Sequence, residues 1–259
     1  MISLNNSFRL TLFLLLLSGL DAKKDLNNFS LQNAVFNKKK YNEYIINRPN
    51  GFHAVTGFVE NDSSVGLILV HGFYPSDWRN KGIEWVEPIK NFSKAGVPMW
   101  FYRYDWDQCP SITALQMSSD IATLLENNNH LESLIIIGHS FGGLIVTLVS
   151  ESWDNSFPID AHVIASGLAK SKFDRNYLNC VNPKKSIYFI SKNVDFRQWR
   201  TIKSQDGIFK RLKNDPQVVK LINGETTLLP KKWKSKRVGH NFSILVASDI
   251  ILSDLQKNK

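Results

Sequence analysis

Cysteine is scarce in this chain of 259 residues: there are two, Cys109 and Cys180. Structural zinc sites built on repeated Cys-x-x-Cys or Cys/His pairs are therefore excluded, and the six histidines are scattered rather than set at metal-ligand spacing. No metal and no organic cofactor is expected. The leucine-rich run at residues 10–17 covers about eleven residues even if carried on to Leu20, short of the about 20 that span a bilayer. Acidic residues are in deficit, 23 Asp and Glu against 32 Lys and Arg, a formal charge of +9 that favours anionic partners. No RNP motif, zinc finger or basic helix with interleaved aromatics accompanies that charge, so nucleic acid is not the expected partner. Internal repeats and low-complexity linkers are also missing.

What is present is enough for a substantial core: 43% hydrophobic and 12% aromatic residues. The N-terminus carries one cation at Arg9, the apolar run, and then the small residues Ser18, Gly19 and Ala22, which reads as a secretory signal over residues 1–22. Export to the periplasm or the exterior follows, with a membrane anchor if the signal stays uncleaved. Export also makes a Cys109–Cys180 disulfide permissible. Residues 23–50 are polar and weakly patterned and read as an arm before a single domain at 51–259.

From residue 51 onward, strand and helix signals alternate. Strands are expected at 53–60, 65–73, 97–106, 131–138, 160–167 and 185–191, with a short one at 226–230. Helices are expected around Trp85, Ile89 and Phe92, from an N-cap at Ser111 through Ala114, Met117, Ile121 and Leu124, over 142–153, over 206–222, and over 243–257. Such alternation predicts an α/β fold with a mostly parallel sheet covered on both faces.

One stretch bears on chemistry. In "SLIIIGHSFGGLIV", residues 133–146, a Gly-x-Ser-x-Gly match lies between an apolar strand and an apolar helix. Alone the match is weak, since about one chain in ten of this length carries it by chance. In this context the reversal forces Ser140 into a strained conformation, and Gly138 and Gly142 let the chain segments pass. A serine hydroxyl needs a base to take its proton and a third group to orient that base. His240, between the last strand and the last helix, is the candidate base. Asp195, just beyond the apolar strand at 185–191, is the first candidate acid, with Asp174, Asp206 and Glu225 as alternatives. His53, His130 and His162 read as surface or loop residues, and Asp105 as structural or pocket-lining.

With the elbow "GHSFGG", the strand-ending "HGF" at 71–73, "VD" at 194–195 and "GH" at 239–240 in this order, the chain resembles the α/β-hydrolase superfamily, of the lipase/esterase-like sort, over roughly residues 51–255. The resemblance implies an α/β-hydrolase fold and ester cleavage through an acyl-enzyme. It also implies an oxyanion hole from the backbone N–H groups of Phe73 and Phe141, each worth about 3 to 4 kcal/mol. His71, Gly72 and His139 are then supports. The chain departs from many lipases in lacking further glycines after His71-Gly72, and the short segment 168–184 leaves little room for a cap. Amidase, thioesterase and acyltransferase chemistry uses the same triad. A non-catalytic binding module on this fold is the reading of another class. The basic cluster Lys231, Lys232, Trp233, Lys234, Lys236 and Arg237 reads as a solvated loop, or as a docking surface for anionic lipid headgroups.

Overall fold

The structure is a computed structural model describing residues 28–30, 48–56, 63–74, 83–171, 174 and 180–257. The expected signal at 1–22 lies outside the described residues, as does most of the arm at 23–50.

Strands β1 (Asn28–Ser30), β2 (Gly51–Thr56), β3 (Val65–Val70), β4 (Met99–Arg103), β5 (Ser133–His139), β6 (Ile159–Ile164), β8 (Val194–Arg200) and β10 (Glu225–Leu228) form one eight-stranded sheet. Its order is β1-β2-β4-β3-β5-β6-β8-β10, with β2 and β4 antiparallel and every other neighbouring pair parallel. Helices α1 (Val86–Ser93), α2 (Pro110–Asn127), α3 (Phe141–Ser152) and α4 (Phe242–Lys257) cover it. This is the α/β-hydrolase fold that the resemblance implies.

The alternation of side chains along a strand explains why the central strands are apolar throughout. Leu67, Leu69, Ile135 and Ile137 point to the face covered by Ile89 and Phe92 of α1 and Ile244 and Ile251 of α4. Ile68, Val70, Leu134 and Ile136 point the other way, onto Met117 and Ile121 of α2 and Leu144 and Ile145 of α3. Each of these wholly buried aliphatic side chains contributes about 1.5 to 3 kcal/mol. β5 lies between β3 and β6, so Val70 pairs with Gly138 and His139 with Ile164, and the elbow sits where three strands end together.

Several expectations shift. The strand expected at 185–191 is β7 (Ile187–Phe189), which pairs only with β9 (Lys220–Ile222) in a separate two-stranded sheet. The sheet strand is instead β8, whose charged residues disguise it in the sequence. No helix spans 206–222: the Asp206 carboxylate takes the Ile208 and Phe209 amides as a helix cap does, but the turn it starts is not continued past residue 211, and Asp215-Pro216 breaks the periodicity. α2 starts with Pro110, so Cys109 holds the N-cap place expected of Ser111. His53 and His162 are buried in β2 and β6 rather than at the surface: His53 Nε2 lies 2.7 Å from the Pro49 carbonyl, and His162 Nδ1 accepts from Trp199 Nε1 at 3.1 Å. His130 is exposed, as expected. The permissible disulfide forms: Cys109 and Cys180 are bridged, with their Cα atoms 5.6 Å apart.

Candidate active site

Ser140 sits between β5 and α3 at φ 54°, ψ −117°, a conformation an L-residue adopts at a cost of about 1 to 3 kcal/mol. Its amide donates to the Ile164 carbonyl at 2.9 Å, which fixes the turn to the neighbouring strand end. The glycines around it are dictated by space. A Cβ on Gly142 would lie 2.2 Å from the His71 carbonyl oxygen, and one on Gly138 would lie 2.7 Å from both the Gly142 oxygen and Val146. Gly143 is equally constrained, 2.7 Å from Ser166 Cβ. The start of α3 therefore packs directly on the backbone at the end of β3.

Ser140 Oγ lies 3.0 Å from His240 Nε2, and His240 Nδ1 lies 3.0 Å from Asp206 Oδ2. Since an ionised carboxylate only accepts, Nδ1 carries the imidazole proton and Nε2 presents a lone pair to the serine hydroxyl. Asp206 is wholly buried yet fully satisfied. Its Oδ2 also accepts from Thr201 Oγ1 at 2.6 Å, and its Oδ1 accepts the Ile208 and Phe209 amides at 2.9 and 3.1 Å. Burial pushes the carboxyl up, but the hydrogen bond and charge of His240 and the Thr201 and Ile208 donors outweigh it, leaving Asp206 below the usual carboxylate range. Thr201 is itself held by Gln217, whose Oε1 accepts the Thr201 amide at 2.9 Å. The His240 carbonyl accepts from His139 Nε2 at 3.1 Å and from the Ser243 hydroxyl, so the loop before α4 is pinned as well.

The first candidate acid is not at this site. Asp195 is the second residue of β8, paired with Asp160 of β6, at the edge of the sheet opposite Ser140. At about 3.3 Å per strand residue it lies about 20 Å from the end of β8 where Thr201 leads to Asp206. There it lines a separate cavity of about 330 Å³ with Asp160, His162 and Arg197. The parallel register puts the carboxylate on the wrong edge, so Asp195 is corrected to Asp206, one of the alternatives. Of the other two, Glu225 at the start of β10 pairs with Arg197 of β8, and Asp174 accepts from Lys184 at 2.7 Å in the wall of the cleft. Asp105 is exposed and caps the Asp107 amide.

His71 behaves as a support. Its Nδ1–H donates to the Gly72 carbonyl at 2.6 Å and its Nε2 accepts the Tyr104 amide at 3.3 Å, while its ring stacks on Tyr104 at 4.3 Å. Burial, and secondarily Arg103, hold the imidazole down to a pKa of about 3, so it is neutral. His139 is likewise kept neutral by burial and by His240. The Gly72 Cα approaches Ser140 so closely that an added Cβ would come within 3.1 Å of Ser140 Cβ. Tyr74, next along, donates its hydroxyl to the largely buried Glu84, a tether not foreseen in the sequence.

Ser140 opens on a cleft of about 430 Å³. Phe73, Phe141, Leu144, Phe209 and Leu212 are among its apolar lining residues, with Asp174, Lys184 and Arg211 as charged members. The basic cluster forms a hairpin of β11 (Lys232–Trp233) and β12 (Lys236–Arg237). Trp233 is half-buried against the core and donates to Asp249 at 3.2 Å, Lys234 pairs with Asp249, and Arg237 donates to the Gln205 carbonyl. No group of acidic, histidine or cysteine side chains suited to a metal ion occurs among the described residues.

No family model and no curated protein matches the chain. Among solved structures it is similar to a lipase-esterase related protein from Clostridium acetobutylicum, at 16% identity over 80% of this chain and 98% of the other, with a TM-score of 0.48. It is also similar to Est1E from Butyrivibrio proteoclasticus, at 12% identity over 74% and 87% with a TM-score of 0.43. A third is a poly(3-hydroxybutyrate) depolymerase from Bordetella parapertussis, at 12% identity over 80% and 83% with a TM-score of 0.47.

Proposed function

We propose that this chain is a serine hydrolase that cleaves a carboxylic ester through an acyl-enzyme. The observation that carries the reading is the unbroken chain from Ser140 Oγ through His240 to Asp206, with both links at 3.0 Å. In the first half-reaction His240 Nε2 takes the Ser140 proton as Oγ bonds to the acyl carbon. The Phe73 and Phe141 amides receive the oxyanion, and His240 then returns the proton to the departing alkoxide. In the second, water takes the alcohol's place, His240 removes its proton, and the acid leaves as Ser140 is reprotonated. Asp206 stabilises the imidazolium at each stage and stays ionised. The strained backbone of Ser140 favours catalysis over a binding module, because a vestigial site gains nothing from keeping it.

The test is a panel of p-nitrophenyl esters of increasing acyl length, run on the wild type and on Ser140→Ala. Turnover is expected to peak at an acyl length the cleft can hold and to vanish in the variant. Folded wild-type protein inert toward every ester would overturn the reading, and faster cleavage of matched anilides or thioesters would move it to an amidase or thioesterase.

Export through residues 1–22 belongs to the same proposal and is supported by the Cys109–Cys180 bridge, which needs an oxidising compartment. Contact with an anionic membrane is proposed for the outward-facing Lys231, Lys232 and Lys236. Trp233 is committed to the fold by its bond to Asp249.

A further inference from the structure

The charges lining the cleft are unevenly satisfied. Lys184 is neutralised by Asp174, which also accepts from the Ser171 amide, the Ser171 hydroxyl and Asn182. Arg211 is exposed and has no ion pair or side-chain hydrogen bond among the described residues. The exposed Lys210 and Lys213 flank it, and residues 207–214 contain no carboxylate. The nearest, Asp215, is engaged by Arg200 at 3.4 Å. Beside the Asp174–Lys184 pair, the cleft wall therefore carries an unanswered positive charge at Arg211.

The position of that charge is tied to the triad. Asp206 takes the Nδ1–H of His240 on one oxygen and the amides of Ile208 and Phe209 on the other. The same carboxylate that orients the base thus fixes the turn that carries Arg211, five residues on, into the wall shared with Ser140. A guanidinium presents a planar fork of donors that matches a carboxylate or phosphate two-pronged. We propose that the substrate carries, besides the ester that Ser140 attacks, an anionic group of carboxylate or phosphate type that Arg211 binds. This rests on the ester-cleaving reading of the site and narrows its substrate class.

The test compares p-nitrophenyl valerate with p-nitrophenyl hydrogen glutarate, which have five-carbon acyl groups and differ in one terminal carboxylate. A third substrate, a butyryl ester of glycerol 3-phosphate followed by acid release, places the anion on the alcohol side. Wild-type kcat/KM is expected to favour glutarate over valerate at least tenfold at low ionic strength, with the ratio shrinking as salt is added. Arg211→Gln should bring that ratio to near unity, Arg211→Glu should invert it, and Arg211→Lys should keep part of it. If the phosphate ester alone is favoured over butyrylglycerol, and Arg211→Gln removes that preference, the anion lies on the alcohol. Valerate turned over as fast as both anionic substrates overturns the inference while leaving the esterase reading intact, as does an Arg211→Gln variant that keeps every ratio. A folded protein that cleaves no ester removes both.

Discussion

Replacing Asp206 by Asn changes one atom, and the surrounding bonds dictate the outcome. Oδ1 accepts two backbone amides, so the Asn oxygen must take that place and the NH2 must take the place of Oδ2. There it faces His240 Nδ1 and the Thr201 hydroxyl. One amide hydrogen goes to Nδ1 and the other to Thr201 Oγ1, whose own proton turns to Gln217 Oε1 at 3.1 Å. Every partner stays satisfied, so the variant should fold. The imidazole, however, is forced into the other tautomer: Nδ1 now accepts, Nε2 carries the proton, and the lone pair that served Ser140 is gone. Loss of the correct tautomer in such triads costs roughly 10⁴-fold in kcat, about 5.4 kcal/mol of barrier. The assay is steady-state hydrolysis of a p-nitrophenyl ester at pH 7.5, with circular dichroism to verify folding, and Asp195→Asn alongside. Asp195→Asn should remain within about twofold of wild type, since Asp195 lies about 20 Å from the triad's edge of the sheet. An Asp206→Asn enzyme that is folded and keeps a tenth of its activity, or an Asp195→Asn enzyme as impaired as it, would refute the reasoning.

Two further predictions concern stability. His71 has a folded pKa of about 3 against 6.5 when unfolded, so its contribution is complete above pH 6.5 and is lost as pH falls toward 3. Over that window the unfolded chain binds one more proton, and stability should fall by about 1.4 kcal/mol per pH unit from this group. Urea unfolding between pH 4 and 6 should show a shallower dependence in His71→Gln than in wild type, and equal slopes would contradict the assignment. The Cys109–Cys180 bridge closes a separation of 71 residues, for which loss of chain entropy predicts about 4 kcal/mol. A Cys109→Ser, Cys180→Ser double variant should lose on the order of 10 °C in Tm, and an unchanged Tm would mean that the thiols are not bridged.

The fold and two members of the proposed triad, Ser140 and His240, were legible in the sequence because they are written in local patterns. The apolar runs of β3 and β5 report burial on both faces of a parallel sheet. The glycines at 138 and 142 mark a turn with no room for Cβ atoms, and His240 follows the last strand as the chain order requires. The acid was misplaced for a different physical reason. Ile187, Tyr188 and Phe189 form an apolar triplet, yet they belong to a small outlying sheet, while β8 carries Asp195, Arg197 and Arg200 on its half-exposed faces and does not read as a buried strand. A period-two pattern was available in Val194, Phe196 and Gln198, all buried, and would have shifted the strand end to Arg200 and the acid to the loop after it. Arg211 and the Tyr74–Glu84 tether had no local signal, since each acquires its meaning only from residues brought close by the fold.

The most direct test of the central claim is covalent labelling. A fluorophosphonate should modify the folded wild type with a stoichiometry of one, and peptide mass spectrometry should place the adduct on Ser140, with labelling abolished in Ser140→Ala and greatly slowed in Asp206→Asn. An adduct on another residue, persistent labelling of Ser140→Ala, or no labelling of the folded protein would contradict the account.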